Sequence, residues 1–141
     1  METNNQMEKT SSEIVAEGEK LTDAAKAYGI RGTWTNAVGG FLVEDSKIPQ
    51  PIGKFKVSHG CYYSWVWNPF EDSGDALRLA MKLVYEGKLR IQMTSNSIDL
   101  FENWDGMWVP HTYTMDNDCS DAVFRTAVTN VAAEIGKRLS A

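Results

Sequence analysis

SGDALRLAMKLVYEGKLRIQMTSNSIDLF, running from Ser73 to Phe101, changes its apolar period at Gly87. Before it, Ala76, Leu77, Ala80, Met81 and Val84 form one helical stripe that Leu79 and Leu83 widen. Asp72 or Ser73 is placed to cap the first turn, and Asp75 and Lys82 sit where the macrodipole favours their charges. After Gly87 the period is two. Leu89, Ile91 and Met93 alternate with Lys88, Arg90 and Gln92, which predicts a half-buried strand with the apolar three inward. Ser95 and Asn96 turn the chain into a second strand that carries Ile98 and Leu100.

Two further signals extend this meander. Asn103 to Gly106 holds an Asp-Gly pair, the turn chemistry of a tight hairpin, and Met107 to Tyr113 follows as a third strand. Pro110 cannot donate to a neighbour, so this strand is expected at the sheet edge. The terminal stretch from about Ser120 to Leu139 places Phe124, Ala127, Val128, Val131, Ile135 and Leu139 on one helical face, with Asp118 or Ser120 as its cap.

Upstream, residues 1–19 are rich in Glu, Asn, Ser and Thr and read as a flexible N-terminal arm or a loosely docked helix. Lys20 to Tyr28 has a helical pattern closed by Gly29, and residues 20–141 are expected to form a single domain. Arg31 to Ser58 reads as one or two strands and a long loop, and CYYSWVW from Cys61 to Trp67 as a strand that ends at Asn68-Pro69. The order predicts an α+β fold, an antiparallel sheet of about four to five strands packed against helices in an α/β/α-type sandwich.

The 141 residues carry 19 acidic against 14 basic side chains, a formal charge of -5, and the basic residues are scattered. Such a chain repels phosphate backbones, so direct nucleic-acid binding is not expected. Cys61 and Cys119 lie far apart with no second cysteine nearby, which argues against structural zinc. Met1 to Thr10 lacks the apolar stretch of a signal peptide, and no segment approaches the ~18 apolar residues of a membrane span. A cytoplasmic protein with no membrane attachment and reduced thiols is therefore expected.

The segment from Trp67 to Leu83, WNPFEDSGDALRLAMKL, resembles a pattern common in small proteins of temperate bacteriophages and prophages, W-N-P-x-x-D-x-G-D-A-L-R-L-A-x-K-L. LTDAAKAYGI from Leu21 to Ile30 and FRTAVTNVAAEIG from Phe124 to Gly136 look like the leading and closing helices of the same group. The group is similar to what is called the phage ABA-sandwich domain. The resemblance implies a viral accessory protein and helices on both sides of an antiparallel sheet; it implies no catalytic residues. The Glu44 to Gly60 region and the tryptophan-bearing loop Phe101 to Trp108 depart from it.

Chemistry is sparse. His59 and His111 stand apart, and no nucleophile elbow, phosphate loop, paired-histidine helix or dinucleotide fingerprint occurs, so no enzymatic activity and no cofactor are expected. Glu71-Asp72 and the Asp116, Asp118, Asp121 group flank helix starts, where carboxylates cap. Trp65 and Trp67 share one side of their strand and read as core. Trp104 and Trp108 bracket a turn, where packing and partner binding are both open.

The expected site is thus Trp104 and Trp108 as anchors, Glu102 and Asp105 as acidic groups that meet basic partner residues, and His111 beside them. The expected function is a phage-encoded, non-enzymatic protein that inhibits a host antiviral defence component, such as a CRISPR effector complex, by direct protein binding. The alternative is sequestration of a nucleotide defence signal, stacked on a tryptophan with Arg31, Lys54, Lys56 or Arg90 on its phosphate. Homodimerisation through the Pro110 edge strand or the long terminal helix is a further expectation.

Overall fold

The computed structural model describes residues 10–46, 50–51, 57–59, 62–115 and 120–139. The elements run α1 (Ser11–Tyr28), β1 (Ile30–Thr35), β2 (Gly40–Ser46), β3 (Val57–His59), β4 (Tyr62–Trp67), α2 (Ser73–Tyr85), β5 (Leu89–Met93), β6 (Ser97–Trp104), β7 (Met107–Thr114) and α3 (Ser120–Leu139). The α+β class stands, with every strand pairing antiparallel. The strands divide between two sheets, one in the order β1-β2-β4-β3 and one in the order β5-β6-β7. Helix α1 packs on β1 and β2, α3 on β6 and β7, and α1 and α3 on each other, so the helices join the sheets.

The first helix begins well before Lys20. Thr10 accepts the Glu13 amide on its side chain at 3.1 Å, and the Glu13 carboxylate takes the Thr10 amide in return at 3.2 Å, a complete capping box. Residues 11–19, read as a flexible arm or a loosely docked helix, are the first half of α1. The signal was the spacing of Thr10 and Glu13. Thr10→Ala is expected to lower stability by about 1 kcal/mol in urea unfolding.

Helix α1 meets α3 through small residues. Ala24, Ala27, Ala132 and Ala133 are buried, and a β-carbon built on Gly136 would lie 1.7 Å from the Asp23 carbonyl oxygen. Helix α3 is enclosed around more than the one stripe its period predicts: Thr129, Ala132 and Ala133 are buried beside Ala127, Val128, Val131 and Ile135, whereas Leu139 is exposed. It packs against α1, α2 and a sheet at once. Residue 118, one candidate for its cap, lies outside the described residues, as do Cys61, Cys119, Lys54 and Lys56.

Helix α2 is rotated from the orientation its stripe suggests. Ala76, Leu79, Ala80 and Leu83 are buried, while Leu77, Met81 and Val84 are exposed. Asp75 decides the rotation: its carboxylate is fully buried, accepts the Asn68 amide at 2.9 Å and pairs with Arg78 at 2.8 Å. With Asp75 inward, positions 79 and 83 follow it at helical spacing. On β5 only Leu89 is fully buried; Met93, expected inward, is 55% exposed.

The core is one cluster drawn from all three helices and both sheets. At its centre Trp67 stacks on Tyr28, centroids 5.4 Å apart and planes 7° from parallel, with Phe41 edge-on. Burial raises the Tyr28 phenol above its ordinary value of 10.0, the Asp75 carboxylate raises it further, and Arg78 opposes them. Because the folded pKa lies above the unfolded one, the neutral phenol stabilises the fold fully below pH 10.0 and less as pH rises beyond it. Urea midpoints are expected to fall above that pH, and Tyr28→Phe to flatten the fall.

Candidate functional site

The segment from Trp67 to Leu83 is a structural joint. Asn68 is buried; its side chain donates to the Gly39 carbonyl at 2.8 Å and accepts the Phe70 amide at 3.0 Å, and its carbonyl accepts the Glu71 and Asp72 amides. Asp72 caps α2 by accepting the Asp75 amide at 3.0 Å. Arg125 reaches from α3 to the Phe70 carbonyl at 2.9 Å and the Ser73 hydroxyl at 3.0 Å. Asn68, Asp72, Ser73 and Asp75 of this segment thus hold a turn, a cap and the approach of α3 in place.

The β6–β7 hairpin holds the candidate binding residues. Its turn is Asp105-Gly106, with φ of 50° and 90°, the positive pair a tight mirror-image turn requires. Asn103 accepts the Gly106 amide at 2.7 Å and clamps it. Trp104 and Met107 pair across the strands beside the turn and are 48% and 67% exposed. Asp105 is exposed between them, and Trp108 is half-buried.

Each tryptophan lies against an arginine of its own chain. The Arg138 guanidinium lies 4.5 Å from the Trp104 ring centre and that of Arg90 lies 4.3 Å from Trp108. Such contacts contribute about 0.5–1 kcal/mol each at exposed sites. They orient both rings and cover one face of each.

Glu102 is not the surface carboxylate the sequence suggests. It is 1% exposed, with Oε1 3.1 Å from His111 Nε2 and Oε2 ion-paired with Arg138. Burial is the physical reason it cannot meet basic groups of a partner: the carboxylate is already paired with Arg138 and His111 inside the fold. The signal lay in the period of β6. Ile98 and Leu100 point inward, and the next position of that face is Glu102. His111, Glu102, Arg138 and Trp104 form one chain from β7 through β6 to the end of α3.

This chain of groups borders a cavity of about 290 Å³, lined by Lys20, Trp104, His111, Tyr113, Asn130 and Lys137 among others. The Asn130 side-chain oxygen, Oδ1, is buried with no hydrogen-bond partner among the described residues. A carboxylate that orients an imidazole is one half of a general-base pair. Here Arg138 neutralises the carboxylate, and no hydroxyl or thiol hydrogen-bonds to His111 among the described residues. The arrangement fits structural pairing better than proton transfer.

The larger recess, about 670 Å³ between α1 and β1, is lined by Val15, Gly18, Glu19, Asp23, Thr33 and Trp34 and suits no phosphate. Arg31 borders a separate recess with Lys26, Phe41 and Glu44. Arg31 and Arg90 thus do not converge on one tryptophan. Among the described residues no three His, Cys, Asp or Glu side chains are placed to hold a metal, and no helix is long and apolar enough to cross a membrane. The chain matches no protein-family model, no curated protein and no solved structure.

Proposed function

We propose that this chain is a phage-encoded, non-enzymatic binding protein that inhibits a host antiviral defence component, such as a CRISPR effector complex, by inserting its β6–β7 hairpin tip into the partner. The observation that carries the reading is a rigid turn presenting Trp104 and Met107, with Asp105 between them. Exposed aromatic and sulfur-bearing side chains on a pre-shaped hairpin bind with little ordering cost. Asp105 takes the role of meeting a basic partner group, since Glu102 is buried. The motif's resemblance to phage proteins supplies the biological setting.

The test is a tagged pull-down from a host lysate that contains a defined defence complex, with the pair Trp104→Ala and Met107→Ala as control. Recovery of that complex by the natural chain and its loss with the double variant is the expected result. Both side chains are about half exposed or more, so the double variant should lose about 1 kcal/mol of stability or less. Recovery undiminished by the double variant rejects the hairpin as the anchor. The second reading, a nucleotide signal held beside Trp104, draws on Lys20 and Lys137 at the cavity rim; a nucleotide released in stoichiometric amount from the denatured protein would favour it.

A further inference from the structure

Helix α2 has two apolar faces and the fold uses one. Leu77, Met81, Val84 and Tyr85 are 52%, 62%, 45% and 91% exposed, and their spacing aligns them on the outer side of the helix. A helix of this composition is ordinarily covered on both sides. The four side chains expose roughly 500 Å², near the upper end of what a monomer's largest apolar patch presents.

We infer that this face is the two-fold interface of a homodimer, with α2 packed antiparallel on α2 of a second copy and Met81 at the axis. In that register Leu77 faces Tyr85 of the second copy, and the stripe is complementary to itself, as a two-fold contact demands. Charge agrees with the antiparallel sense. Glu71, exposed and without an ion pair among the described residues, precedes the helix, and Lys88, 3.4 Å from Glu86 of its own chain and partly exposed, follows it. They flank opposite ends of α2, so an antiparallel pair sets the Glu71 end of each copy beside the Lys88 end of the other. The two copies together would bury roughly 1,000 Å², at the lower limit for a specific interface, which makes the dimer a weak, reversible one of micromolar affinity. This interface is separate from the hairpin tip and from the edge strand at Pro110, and it does not depend on the function proposed above.

Sedimentation of the full chain between about 1 and 300 μM tests it. The expected result is a reversible monomer–dimer equilibrium in the micromolar range. Met81→Glu sets two like charges face to face at the axis and should weaken association at least about 30-fold while the thermal midpoint holds. Glu71→Lys should weaken it less, and Glu71→Lys with Lys88→Glu should restore it. A natural chain that stays monomeric to about 300 μM overturns the proposal and leaves the stripe to a different partner; a dimer indifferent to Met81→Glu overturns it as well.

Discussion

Gly136→Ala is expected to lower the stability of the fold by about 3 kcal/mol or more, although in an isolated helix the same change would add about 1 kcal/mol. The sign is decided by the crossing of α1 and α3. A β-carbon at position 136 would sit 1.7 Å from the Asp23 carbonyl oxygen and 2.6 Å from its carbon. Those atoms are helix backbone, so no rotamer change relieves the overlap and the two helices must separate. Separation loosens the contacts of Ala24, Ala27, Ala132 and Ala133 together. Urea unfolding reads the loss directly, with Gly39→Ala as a comparison, where a β-carbon meets nothing within 4 Å and only the positive φ of 72° is strained. If the midpoints of the two variants fall alike, the close crossing is not what holds α1 to α3.

Arg138→Ala is the second large effect, about 3 kcal/mol, the usual cost of stranding one member of a buried ion pair. Glu102 is 1% exposed and would keep only His111 beside its carboxylate. Trp104 would also lose the guanidinium that covers it. Glu102→Gln should cost less, about 1–2 kcal/mol, because it removes the buried charge and keeps a side chain able to hydrogen-bond. Replacing both partners, Glu102→Leu with Arg138→Met, should recover most of the loss, since an apolar pair of similar size needs no desolvation. The ordering of the three variants in thermal unfolding is the check; Glu102→Gln falling further than Arg138→Ala would mean that the pair contributes net attraction rather than mutual neutralisation.

Two of the readings that failed, the α2 face and the surface Glu102, share a cause. On α2 the sequence offers apolar residues at seven of the positions from Ala76 to Val84, so period alone cannot choose between the 76/79/80/83 face and the 77/81/84 face. A hydrogen bond from Asn68 to Asp75 chooses, and its partners belong to the turn before the helix and to the helix itself. At Glu102 the period of two pointed inward and residue type pointed outward. The inward reading holds because Arg138, 36 positions away in sequence, and His111 supply the compensating groups.

Local pattern sufficed where one segment carries both the signal and its cause. The Asp105-Gly106 hairpin, the Asp72 cap, the Gly29 stop and the inward Trp65 and Trp67 all depend on residues within a few positions of each other. The early start of α1 belongs with them, being written in Thr10 and Glu13. The division into two sheets, the enclosure of α3, the joining of Glu102 to Arg138 and the apolar face left open on α2 required the assembled chain. Each of these is set by which distant surface comes to lie against a residue, and burial and charge pairing act through space without regard to separation along the sequence.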